Sequence, residues 1–165
     1  MSHPYDKIAS RDAQSFPYDD FFKYPRRLLV DWKEEEPRIL DDFLAATGLP
    51  ADGTRLVMND KTQFYQLARG NAWADVPWSK TSSAQHSMVA ALQKVFGATH
   101  SIRYLNNADV SDTGFFAVET HETWRQLEKR YPHVKWFFTP IELLPDTFNT
   151  DAKTLNEIGQ RYAGV

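Results

Sequence analysis

The chain has 165 residues, a formal net charge of −3 and no cysteine. One domain spanning residues 1–165 is therefore the expected organisation, and disulfides, thiolate zinc sites, Fe–S clusters and cysteine nucleophiles are excluded. A hydrophobic fraction of 42% with 14% aromatic residues is too high for a disordered chain, and the acidic balance argues against non-specific binding to nucleic acid.

Residues 1–20 carry Pro4, Pro17 and scattered polar side chains. They read as an N-terminal arm packed over the domain and anchored by Phe16, Tyr18, Phe21 and Phe22. Met1 to Phe16 lacks the apolar run of a secretory signal. No stretch approaches the ~20 apolar residues of a membrane span. Together with the missing cysteines, this makes a cytoplasmic setting the expectation.

Arg27 to Trp32 reads as the first strand, with Leu28, Leu29 and Val30 as a short apolar run. A helix follows from about Glu34 to Thr47. Its start is acidic, where the helix dipole favours negative charge, and Pro37 sits in the first turn, where a missing N–H costs nothing. Ile39, Leu40, Phe43 and Leu44 repeat at helical spacing, and Gly48 stops the helix. Two strands are expected next, Arg55 to Asn59 and Thr62 to Ala68, joined by a turn through Asp60. From Arg69 to Thr81 no periodicity is evident, and the stretch reads as a loop holding Trp73 and Trp78.

Ser82 or Ser83 starts a second helix that runs to Phe96 on a stripe of Met88, Val89, Leu92 and Val95. Ser101 to Leu105 and Phe115 to Glu119 read as a hairpin around a polar loop, Asn106 to Gly114. Thr120 caps a third helix with Trp124, Leu127 and Tyr131 on one face, and Pro132 closes it. Val134 to Thr139 reads as the last strand. Asp151 caps a final helix bearing Leu155, Ile158 and Tyr162. The expected class is α+β: a single mixed, mainly antiparallel sheet with about four helices packed mostly on one face. The first six elements follow the split βαβ order, which by itself implies no function.

No phosphate-binding glycine loop, dinucleotide fingerprint or nucleophile elbow occurs, and no cofactor is expected. Histidines 3, 86, 100, 121 and 133 lack zinc spacing; Arg125 stands where a zinc protease needs its second histidine. Asn107, Asp109, Ser111, Asp112 and Gly114 echo a calcium loop, but Thr120 stands where the closing glutamate belongs. Strand-end carboxylates offer one catalytic reading: Asp31, Asp60 and Glu119, with His121 as a base, would form a metal-dependent hydrolase or phosphoesterase site if they converged.

Two segments favour binding instead. Trp73, Asp75 and Trp78 place two indoles beside a carboxylate, and tryptophan is enriched among binding hot spots. Asp31 to Asp42 holds six carboxylates, of which Glu34, Glu35, Asp41 and Asp42 are the candidate contacts for a basic toxin or enzyme, steered by charge. In size, lack of cysteine, acidic balance and absence of a catalytic motif, the chain is similar in style to small cytosolic immunity and antitoxin proteins. That likeness covers no motif and carries over no residue. It implies a non-catalytic inhibitor that binds another protein. A subunit of a larger assembly, with Phe16 to Tyr24 at the interface, is a further alternative.

Overall fold

The computed structural model describes residues 3–77, 84–106 and 113–164. Among the described residues, seven strands form two separate antiparallel sheets. Strands β1 (Arg27–Asp31), β5 (His100–Leu105), β6 (Thr113–Thr120) and β7 (Phe138–Pro140) make a four-stranded sheet in the order β1-β6-β5-β7. Strands β2 (Thr54–Asn59), β3 (Phe64–Arg69) and β4 (Ala72–Pro77) make a three-stranded meander. The α+β class holds, but the single sheet does not, and neither does the split βαβ arrangement. Strand β1 pairs with β6, far along the chain, through Leu28 opposite Phe116. Such a pairing leaves no local mark in sequence.

Six helices are described, not four: α1 (Tyr18–Phe22), α2 (Glu36–Thr47), α3 (Ala84–Phe96), α4 (His121–Arg130), α5 (Val134–Phe137) and α6 (Ala152–Tyr162). They cover both faces of the four-stranded sheet, because β6 is apolar on both. Phe116 and Val118 point into a core with Leu28 and Val30, Ile39 and Phe43 of α2, and Met88 and Leu92 of α3. Phe115 and Ala117 point the other way, into a second core with Tyr5, Phe16, Phe21, Trp124 and Phe138. The alternation of strand side chains thus feeds two cores from one strand.

The arm is part of the second core. Tyr5 meets Phe21 and Tyr24 edge-on at centroid distances of 5.0 and 5.8 Å, and Phe16 stacks on Phe21 at 4.9 Å. Phe16, Phe21 and Tyr24 are buried against their own chain, which leaves Phe22 as the exposed apolar side chain of the segment expected at an assembly interface. Helix ends follow the expected chemistry. Gly48 closes α2 at φ 70°, a left-handed conformation that glycine adopts without strain. Thr120 caps α4 by accepting from the Thr123 N–H at 3.2 Å, and Asp151 caps α6 by accepting from the Thr154 N–H at 2.9 Å. In α6, Gly159 allows close approach to the sheet: a Cβ there would lie 2.3 Å from Asn106 Nδ2.

Helix α3 lies between the two sheets, against β3 and β4 of one and β5 of the other, while α2 packs on β1, β6 and α3. Strand β4 comes from the stretch read as a loop. Ala72, Ala74 and Val76 face α3 while Trp73 and Asp75 face away, a period of two that Gly70 and Pro77 obscure. Pro77 is tolerated because it ends the strand. Val134 to Phe137, expected as strand, is instead one turn of helix leading into β7. The turn carries Val134 and Phe137 into the second core, and tertiary packing overrides the strand preference of these residues.

Candidate partner-binding face

Strand register defines the outer face of the three-stranded sheet. Across β2, β3 and β4 its rows are Arg55, Ala68 and Trp73; Val57, Gln66 and Asp75; and Asn59, Phe64 and Pro77. The inner rows, with Leu67, Ala74 and Val76, are buried on α3. On the outer face Val57 is 58% exposed, Trp73 51% and Phe64 40%. Three large apolar side chains exposed on one face of one sheet form a patch of the kind that marks interaction sites. Trp73 is partly organised already, since the Lys94 ammonium lies 5.1 Å from its ring centroid.

The hairpin between β2 and β3 shapes one end of this face. Asn59 Oδ1 accepts from the Lys61 N–H at 3.0 Å, and Gln63 Nε2 donates to the Asp60 carbonyl at 2.7 Å. Gln63 takes a left-handed φ of 58°. A groove of about 880 Å³ opens beside the hairpin, between Val57, Phe64, Gln66 and Asp75 of the sheet and Asp60 and Lys61 of the turn.

The acidic segment lies elsewhere. Asp31 Oδ1 accepts from the Lys33 N–H at 2.8 Å, so this carboxylate forms the turn that leads into α2. Asp42 is held by Arg38 one turn earlier, Nε to Oδ1 at 3.1 Å. Glu34 is raised above the ordinary carboxylate range, first by burial and then by the charge of Asp42. Glu35 and Asp41 are exposed, while Glu36 is buried. Burial, with Glu36 and Glu35 nearby, raises the Tyr65 phenol, so the acidic turn reaches β3 from the inner side. Tyr65 is paired with Val76, three residues or about 10 Å along β4 from Trp73. The acidic turn and Trp73 therefore flank the same small sheet from opposite faces and do not form one continuous patch. Trp78 lies outside the described residues, as do Ser82, Ser83, Asn107, Asp109, Ser111 and Asp112.

The hydrolase constellation does not assemble. Asp31 ends β1 of one sheet and Asp60 sits in the hairpin of the other. His121 Nε2 lies 2.6 Å from the Gly97 carbonyl oxygen. Among the described residues no group of three or more His, Asp or Glu side chains is placed to hold a metal ion. Glu119 is wholly buried, accepts from the Tyr24 hydroxyl and pairs with Arg26 Nη1 at 3.0 Å. It fastens the segment that leads into β1 to the end of β6.

Val57, Phe64 and Gln66 were not singled out from sequence. Arg55 to Met58 contains three consecutive apolar residues, which hides which of them faces out; the buried partners Leu67 and Ala74 decide it. Comparison with protein-family models, with curated proteins and with solved structures found no match.

Proposed function

We propose that this is a non-catalytic protein that binds another protein through the outer face of β2, β3 and β4, acting in the cytoplasm as an immunity- or antitoxin-type inhibitor of a basic toxin or enzyme. The observation that carries the reading is the joint exposure of Val57, Phe64 and Trp73 on one sheet face. Large exposed apolar side chains on a rigid scaffold suit recognition, because little side-chain entropy is lost when an aromatic ring is covered. The six carboxylates of residues 31–42, against Lys33 and Arg38, support a basic partner, whose approach they would accelerate by charge.

The test is affinity capture with mass spectrometry, followed by calorimetry on the purified pair. Trp73→Ala is expected to weaken a stoichiometric partner by about 2 kcal/mol or more, the range of an interface hot spot, with the thermal midpoint unchanged. Equal affinity for Trp73→Ala and for a Val57→Asp variant would remove this face from the reading.

A further inference from the structure

The groove at the hairpin end of the open face supports a more specific reading, which rests on the proposed binding of a basic protein. We propose that the groove receives an arginine side chain presented by the partner on an extended segment. Phe64 lines the groove and is 40% exposed, and a cation placed over an aromatic face is attracted by the ring's quadrupole. Asp60, Gln66 and Asp75 line the same groove, and Val57 supplies an apolar wall. Guanidinium fits this combination better than ammonium. It stacks on rings, is more weakly hydrated and donates in a planar fork to carboxylates. Lys61 is the single cation among the groove's described lining residues, so two carboxylates outweigh it and an anionic guest is disfavoured. At about 880 Å³ the groove also has room for the backbone that carries the arginine.

The probe is N-acetyl-arginine methylamide, titrated into the ¹⁵N-labelled full chain at low salt, with the citrulline analogue as its uncharged isostere. Amide shifts are expected at Val57, Phe64, Gln66 and Asp75. Citrulline should bind about threefold more weakly or worse, the size of an exposed charge pair. Asp75→Asn should weaken arginine by about the same factor, and Lys61→Ala should strengthen it. Equal binding of citrulline, shifts centred elsewhere, or no shift up to the solubility limit would overturn the proposal. The two readings separate on the captured partner. If Trp73→Ala loses affinity while Asp75→Asn keeps it, the face binds protein without the arginine. If neither variant loses affinity, both readings fail.

Discussion

The two sheets of this protein are built from similar strands and end in opposite situations. The four-stranded sheet is covered on both faces, by α2 and α3 on one side and by the arm, α4 and α5 on the other. Among the described residues the three-stranded sheet is covered on one face only, and the other face retains Val57, Phe64 and Trp73. Folding alone gains nothing from exposed apolar residues, and their presence on one sheet and not the other is what supports the proposed recognition on the meander. The buried sheet serves as its support. The difference also predicts where substitutions act: on stability in the first sheet, on binding in the second.

The largest effect is expected where the arm closes over the four-stranded sheet. Phe138 is fully buried and touches the rings of Tyr5, Phe21 and Trp124 at centroid distances of 5.6, 5.4 and 5.8 Å. Phe138→Ala removes a ring from a fully packed aromatic cluster and should cost about 3–5 kcal/mol in urea unfolding. A loss under about 1 kcal/mol would mean that the arm repacks, and that the second core is less fixed than its contacts imply.

A smaller effect, with a pH signature, is expected at Glu119. Burial raises its carboxyl above the ordinary value, while the Tyr24 hydrogen bond and Arg26 oppose the shift. A proton held more tightly by the folded chain makes stability fall as pH rises. The fall begins at the ordinary carboxylate value and ends at the folded one. Glu119→Gln should remove this slope, so the stability of wild type relative to the variant decreases with pH across that window. The opposite trend would mean that Arg26 and Tyr24 outweigh burial. Tyr24→Phe deletes the hydroxyl donor to a buried carboxylate and should cost about 1–3 kcal/mol.

Much of the covered sheet was legible in sequence, and the open one was legible only in part. Pro37 and Gly48 bracket α2, and Thr120 and Asp151 cap α4 and α6, because caps and stops act within a few residues of themselves. The pairing of β1 with β6 and the split into two sheets depend on contacts between distant segments, and no local pattern encodes them. Trp73 and Asp75 were found as candidates for the wrong local reason, as loop residues, yet β4 presents both outward. The aromatic arm was expected as a cover, and its rings complete the second core. The acidic turn was legible as charge, but its separation from Trp73 required the register of β3 with β4.

The smallest effect is the sharpest test of the comparison, because it contrasts two faces of one sheet with one substitution. Val76 lies on the inner face of β4 and is fully buried, whereas Val57 lies on the outer face of β2 and is largely exposed. Val→Thr keeps the shape and β-branching at each site and replaces one methyl by a hydroxyl. At Val76 the hydroxyl enters an apolar layer against α3 and should cost about 1–3 kcal/mol. At Val57 it meets water, and unfolding should change by no more than about 0.5 kcal/mol. A full cost at Val57 would mean that the free protein already covers this face, by self-association or otherwise. A concentration-dependent cost would identify a second copy as the cover. A negligible change, with weakened binding of the captured partner, would leave the face free in the unbound protein and reserve Val57 for the complex.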